Sequence, residues 1–402
     1  MKSYATVYKA FIKNCHEKNL YRTPVTTEPA SKGKIYRGHK AYINFSSNDY
    51  LGLNHHPAVK QAAEQAVSKY GAGLGASRLV TGNSSQFQEI EQKIAALKGK
   101  EAALVMASGF QTNAAVLQAL LDKSVLKATP SVVSDRLNHA SMHFGCAAAG
   151  VRQTRYHHLD AAHAKEHLWR ARKDSQDSPR FCLTETVFSM DGDIAPMQEL
   201  GEICQETDTM LIADDAHGFG LLGEGGKGLG GEADVIIGTF SKALGSFGAY
   251  VAASAPLIDY LIQKCSGLIY STALPPAILG AINAALDVLP SLDAEREQAL
   301  SHAENFRAAM HELGYSTGRS ATQIVPVIIG GEEEALALSE HVREQGLWVT
   351  AIRPPTVPKG SARLRCSFTA SHSKQDVTKL INAIAAYRKE TYSKEKEKDP
   401  SS

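Results

Sequence analysis

Leu211-Ile212-Ala213-Asp214-Asp215-Ala216-His217-Gly218 is the stretch that decides the fold. An apolar run ends abruptly in two carboxylates and a histidine. A second run, Asp234-Val235-Ile236-Ile237-Gly238, leads into Thr239-Phe240-Ser241-Lys242-Ala243-Leu244-Gly245 and so ends near a lysine. Both runs are continuously apolar instead of alternating, which is the pattern of strands buried on both faces of a parallel sheet. Ligands of open α/β sheets bind at the carboxyl ends of the strands, and these polar residues fall there.

Working outward, similar runs occur at Ala103–Met106, Ser131–Ser134, Phe181–Thr184 and Ala249–Ala252. Helical patterns lie between them, at Asn113–Leu121, Ala162–Ala171 and Met197–Glu206. The alternation predicts an α/β core over roughly residues 60–260. Past Leu289-Pro290 the order changes. A long helix near 294–313 precedes an apolar run at Ile324–Ile329, a helix at Glu332–Gln345, strands near Trp348–Ile352 and Ala362–Phe368, and a helix from Lys374 to Ala386. The expected organisation is an N-terminal helix and extended segment (1–45), a large α/β domain (46–290), a smaller α+β domain (291–390) and a disordered tail (391–402).

Composition narrows the classes. The chain has 402 residues, with 43 Lys and Arg against 42 Asp and Glu. That balance gives no footprint for nucleic acid or a membrane surface. There is no apolar run of about 18 residues, so no membrane-spanning helix is expected. The N-terminus lacks a signal-peptide core. The 6 cysteines stand singly with no CxxC pair, which excludes zinc ribbons and thioredoxin motifs and suits a reducing, cytoplasmic setting.

Four motifs are candidates for chemistry. Lys242, desolvated just past a buried strand, can form a Schiff base. Asp214 and Asp215 can orient a cationic ring nitrogen or hold a metal, or simply make an Asx turn. No metal is expected, because no second histidine lies at ligand spacing. The i, i+4 pair His163 and His167 sits in a very polar helix and reads as a solvated face. Ala107-Ser108-Gly109-Phe110-Gln111-Thr112-Asn113 follows a strand and opens a helix, leaving backbone N–H groups for a phosphate. The fourth, Gly71-Ala72-Gly73-Leu74-Gly75-Ala76-Ser77-Arg78, has the wrong spacing and follows a helix, so it is no dinucleotide fingerprint. A phosphate cradle, an aspartate, a histidine and a lysine, each at a strand end, are the parts of a pyridoxal 5'-phosphate (PLP) site.

On these residues the chain resembles the α-oxoamine synthases, fold-type I PLP-dependent transferases that join an amino acid to an acyl thioester with loss of CO2. The resemblance spans about 42–386. It rests on Asn44-Phe45-Ser46-Ser47-Asn48-Asp49-Tyr50-Leu51-Gly52-Leu53, Phe188-Ser189-Met190-Asp191-Gly192-Asp193 and Asp214-Asp215-Ala216-His217-Gly218. Leu268-Ile269-Tyr270-Ser271-Thr272, Pro275-Pro276 and Trp348-Val349-Thr350-Ala351-Ile352-Arg353-Pro354-Pro355-Thr356-Val357-Pro358 point to the branch that takes L-alanine. The resemblance implies a large, mostly parallel sheet domain with a smaller C-terminal domain, and a homodimer with shared active sites. Its substrates would be L-alanine and an acyl thioester of CoA or acyl carrier protein.

It also implies residue roles. Lys242 would be the Schiff-base and proton-transfer lysine, and Asp214 would pair with the pyridinium nitrogen. His217 would bond the phenolic oxygen, with Ser189 nearby. His139 would stack on the ring. Ser108, Gly109, Phe110 and Thr239 would hold the phosphate, and Ser271 and Thr272 would reach the partner's phosphate. Asn48 would lie close to the lysine. Arg365 would bind the amino-acid carboxylate. Thr356, and Arg22 in Leu20-Tyr21-Arg22-Thr23-Pro24, would meet the acyl chain. Sister activities in the family, namely glycine C-acetyltransferase, serine palmitoyltransferase and synthases of long-chain aminoketone signals, share these cofactor motifs. A non-catalytic binding paralogue is disfavoured by the intact Lys242, Asp214, His217 and His139.

Overall fold

A computed structural model describes residues 4–18 and 20–398. After a helix at Tyr4–Glu17, three short strands follow: β1 (Glu28–Ala30), β2 (Lys34–Arg37) and β3 (Lys40–Asn44). Next come β4 (Ala102–Met106), β5 (Ser131–Asp135), β6 (Gln153–Tyr156), β7 (Arg180–Glu185), β8 (Met210–Asp214), β9 (Val235–Thr239) and β10 (Ala249–Ala253). The last strands are β11 (Ile324–Gly330), β12 (Leu347–Trp348), β13 (Thr350–Ile352) and β14 (Ala362–Ser367).

The chain divides into two compact units. One comprises residues 48–189 and 193–297. It is built on a 7-stranded sheet in the order β4-β10-β9-β8-β7-β5-β6. Pairing is parallel from β6 through β9. Only β10 runs against its neighbours, β4 and β9, so β4 and β9 share one direction. All of β7, β9 and β10 is buried, as expected of strands covered by helices on both faces. Val116, Leu117, Leu183, Ile212, Val235, Ile237 and Val251 lie in the core cluster. The helices start where their caps allow. Ser108 accepts the Gln111 N–H ahead of Gly109–Leu120, and Asp160 accepts the His163 N–H ahead of Ala161–Asp174. Strand β6 has no counterpart among the expected strands. Its Thr154 and Arg155 are exposed, as befits an edge, so it lacks the apolar run that marks the others.

The second unit comprises residues 1–47, 190–192 and 298–402. It carries a sheet β1-β2-β3-β12 and another, β11-β14-β13. Phe45, Phe306, Leu338, Leu364 and Phe368 lie in its core cluster. The expected organisation sets residues 1–45 apart. Instead β12 pairs in parallel with β3, Leu347 against Ile43 and Trp348 against Asn44, and draws the N-terminal strands into the C-terminal unit. The single strand expected near Trp348–Ile352 is two strands in different sheets. The last helix runs Lys374–Lys398, into the segment expected to be a disordered tail, while residues 399–402 lie outside the described residues. Among the described residues no single helix is long and apolar enough to cross a membrane.

Candidate active site

The strand directions put one set of carboxyl ends along one edge of the large sheet. Each end releases residues named above: Ser108–Phe110 after β4, His139 after β5, Ser189 after β7, Asp214–His217 at β8, and Thr239–Lys242 at β9. This is the ligand-binding edge of an open α/β sheet.

Asp214 ends β8 and is 7% exposed. Its Oδ2 accepts Nδ2–H of Asn113 at 2.6 Å, and its Oδ1 accepts the Ala216 N–H at 2.9 Å. Both donors are neutral. Asn113 Nδ2 also donates to Ser141 Oγ at 2.9 Å, and Ser141 Oγ lies 2.7 Å from His139 Nδ1. His139 caps the helix Ala140–Ala148, its Nδ1 accepting the Ser141 N–H. One side of His139 is open to solvent while its Nδ1 edge faces protein. The partly enclosed ring disfavours its cation, so its pKa lies below the usual value. Asp214 opposes that shift, while Lys242 and His143 add to it. The charges of Asp214 and Lys242 thus converge on one imidazole.

Glu185 ends β7 directly opposite Asp214 in the β7–β8 register. Burial, with the Asp214 charge beside it, pushes its carboxyl well above the usual range. Lys242 and the His139 backbone N–H pull it back. His217 is buried, and its Nδ1 lies 2.7 Å from Tyr50 Oη, which also donates to Asn48 Oδ1 at 3.2 Å. Asn48 and His217 are therefore joined through Tyr50. Lys242 follows β9 in a tight turn closed by Gly245 at φ 62°. A Cβ on Gly245 would sit 2.3 Å from the Asn54 nitrogen, so only glycine lets the lysine turn lie this close to the Leu53–His55 segment. Asp49 accepts the Leu53 N–H at 2.9 Å, and burial raises its carboxyl pKa to about 7.

Ser189 lies on the loop after β7, whose backbone is bridged between Val187 and Ile194. Asp193 of that loop accepts from His158 Nε2 at 2.9 Å, while His158 Nδ1 reaches Asp135 at 3.0 Å. Burial works against the His158 cation. The hydrogen bonds and charges of the two carboxylates outweigh it and raise the pKa to about 9.

These residues fit PLP. Gly109 and Phe110 open the helix after β4, where a helix has no internal acceptor for its N–H groups. A Cβ on Gly109 would occupy the space 3.7 Å from Thr239 Cβ, so glycine leaves room beside the Thr239 hydroxyl. Thr239 Oγ1 lies 2.7 Å from Ser241 Oγ and donates to the Gly248 carbonyl at 2.8 Å. Ser271 Oγ accepts from Gln111 Nε2 at 2.6 Å, which ties it to the same helix N-terminus. Thr272 is bridged by its backbone to Ser77. The glycine-rich stretch thus braces this segment. Phe110 is exposed and meets His139 edge-on, with centroids 6.4 Å apart.

The other three residues belong to the second unit. Arg22 and Thr356 are exposed and lie side by side, Arg22 Nη2 being 3.5 Å from Thr356 Oγ1. Arg365 is buried on β14 and donates to Ser367 Oγ at 2.8 Å. Sequence reasoning missed Asn113, Ser141, Tyr50, Glu185 and His158. Asn113 opened a predicted helix, Tyr50 stood inside a quoted motif and Ser141 lies two residues past His139, but nothing local marks a residue whose partner is 101 positions away.

The family model for aminotransferase class I and II matches residues 40–384. The 8-amino-7-oxononanoate synthase of Gluconacetobacter diazotrophicus is 51% identical over 355 residues, covering 87% of this chain and 89% of that protein. The enzyme of the same name from Geobacter sulfurreducens is 40% identical over 387 residues, covering 94% and 97%. A solved structure of SPT, a serine palmitoyltransferase, with PLP bound superposes with TM-score 0.89 at 25% identity, covering 96% of this chain and 98% of that one. The chain belongs to the class I and II aminotransferases, fold-type I PLP enzymes, and within them to the α-oxoamine synthases. It is a PLP-dependent acyltransferase of the kind its relatives represent under the name 8-amino-7-oxononanoate synthase.

Proposed function

We propose that this enzyme condenses L-alanine with a pimeloyl thioester of CoA or acyl carrier protein. The products are 8-amino-7-oxononanoate, CO2 and the free thiol carrier, made for biotin synthesis in the cytoplasm. The observation that carries the chemistry is the buried Asp214 carboxylate, held by two neutral donors at a strand end and sharing His139 with Lys242. Near-complete alignment with relatives of that name supports the substrates.

PLP, when bound, supplies an electron sink for negative charge at the amino-acid Cα. Lys242 would hold it covalently and could move the Cα proton at Nζ. Asp214 would keep the ring nitrogen protonated, which would deepen the sink. His217, backed by Tyr50, would bond the phenolic oxygen, with Asn48 and Ser189 as further polar groups for the cofactor. Ser108, Gly109, Phe110 and Thr239 would receive the phosphate. His139 would pack on the ring and meet the thioester. The family resemblance assigns Arg365 to the alanine carboxylate and Arg22 with Thr356 to the acyl chain. Ser271 and Thr272 serve the partner's site in a homodimer. The exposed Phe110, Phe144 and Tyr270 support that dimer, being large apolar groups that solvent alone would not favour.

A second reading, another α-oxoamine synthase using serine or glycine, is favoured by the SPT superposition. A titration of the visible absorbance with L-alanine, glycine and L-serine separates the two, followed by pimeloyl-CoA and a thiol assay. Saturation at the lowest concentration by L-alanine, with thiol released, is the expected result. Preference for serine or glycine, or no thiol, overturns the substrate assignment and leaves the family in place.

A further inference from the structure

We propose that Asn113 and Ser141 are positioning residues that fix His139 as its Nε2–H tautomer and fasten its ring to the Asp214 carboxylate. The inference rests on the reading above only for where substrates bind.

The proton positions follow from donor chemistry. Asn113 is 1% exposed and Ser141 0%, so water does not compete for their bonds. An ionised carboxylate only accepts, so the Asn113 nitrogen, not its oxygen, must face Asp214 Oδ2 at 2.6 Å. The other amide hydrogen points to Ser141 Oγ at 2.9 Å. Ser141 Oγ therefore accepts there, and its own hydrogen is available to His139 Nδ1 at 2.7 Å. The Ser141 backbone N–H, 3.3 Å from the same Nδ1, is a second, longer and weaker donor, so the hydroxyl carries most of the preference. A backbone N–H can only donate, so Nδ1 must carry a lone pair. The neutral ring then holds its hydrogen on Nε2.

Two consequences follow. The far nitrogen of His139 presents a donor, not an acceptor, to whatever lies on its open side. The ring also cannot swing without breaking its bonds to Ser141, whose hydroxyl Asn113 ties in turn to the Asp214 carboxylate. The pair thus sets the angle between two groups that the cofactor must meet at once.

The test is NMR of the PLP-loaded enzyme labelled with 15N-histidine, recorded without substrate, with His139→Gln to assign the ring. Wild type should show His139 as the Nε2–H tautomer. Ser141→Ala should give a mixture of tautomers and lower kcat about tenfold while KM for L-alanine holds. Ser141→Thr should restore both, and Asn113→Ala should shift the tautomer in the same sense as Ser141→Ala. An Nδ1–H signal in wild type overturns the proposal, as does a Ser141→Ala spectrum identical to wild type. If Asn113→Ala does not fold, the Ser141 pair decides alone. Because the spectra need no substrate, failure here is distinct from failure of the alanine and pimeloyl assignment.

Discussion

Asp214 and Asp215 are neighbours at the end of one strand, both buried, and they serve opposite ends. Asp214 takes its hydrogen bonds from an amide and a backbone N–H, both neutral. Asp215 takes an ammonium. Lys98 Nζ lies 2.7 Å from its Oδ2, at 1% and 0% side-chain exposure, while Thr186 Oγ1 and the Leu229 N–H fill its Oδ1. Lys98 also sits over the Phe219 ring at 4.2 Å. The charge of Asp215 is cancelled inside the fold. That of Asp214 is solvated by dipoles, which is what the proposed pairing with a pyridinium nitrogen requires. Burial alone does not separate a functional carboxylate from a structural one; the identity of the donors does.

The largest expected effects come from breaking that division of labour. Asp214→Asn should lower kcat/KM by about 10³-fold, the order seen when one preorganised electrostatic partner is removed. Its melting temperature should fall by about the cost of one hydrogen bond, because the single amide oxygen accepts from Asn113 or from Ala216 but not from both, and the amide nitrogen meets the other donor. Lys98→Met should do the reverse. It leaves Asp215 buried and unpaired, at a cost of about 3–5 kcal/mol in stability, with kcat per folded molecule retained. Parallel thermal melts and active-site-normalised rates measure both. If Lys98→Met kills turnover while folding normally, the contrast between the two aspartates is wrong.

Much of this site was legible in sequence and the division of labour was not. The continuous apolar runs foretold β8 and β9, and their last residues foretold the edge that carries Asp214 and Lys242. Which of two adjacent aspartates faces a ligand depends on Asn113 and Lys98, whose partners lie 101 and 117 positions away. No local period encodes such contacts. The same limit hid the β3–β12 pairing, where two matched residue pairs reassign the whole N-terminal segment. Edge strand β6 was hidden for a different reason, since a strand with exposed residues lacks the continuous apolar signal of a buried one.

A milder test uses His158, a cation held between two carboxylates. Its pKa of about 9 lies above the ordinary histidine value. The clamp on Asp135 and Asp193 therefore contributes fully below the unfolded value of about 6.5 and fades as pH rises through 9. Thermal melts from pH 6 to 10 should show a loss of stability over that window in wild type and a flatter profile in His158→Gln. Parallel curves for the two proteins would remove His158 from the bracing of the Ser189 loop.

The smallest effect belongs to an ion pair that resembles Lys98–Asp215 only in its chemistry. Arg170 and Glu166 lie 2.6 Å apart at i, i+4 on the helix Ala161–Asp174, but their side chains are 60% and 62% exposed. Water already solvates both charges, so removing one leaves no desolvated partner behind. Glu166→Ala should change stability by no more than about 0.5 kcal/mol, and less in high salt. Lys98→Met should be nearly indifferent to salt, because ions do not screen a pair that solvent does not reach. Chemical denaturation of both variants in urea at low and high ionic strength compares them directly. A salt-sensitive Lys98→Met would mean that water reaches Asp215, and the distinction drawn from its donors would then have to rest on solvent access instead.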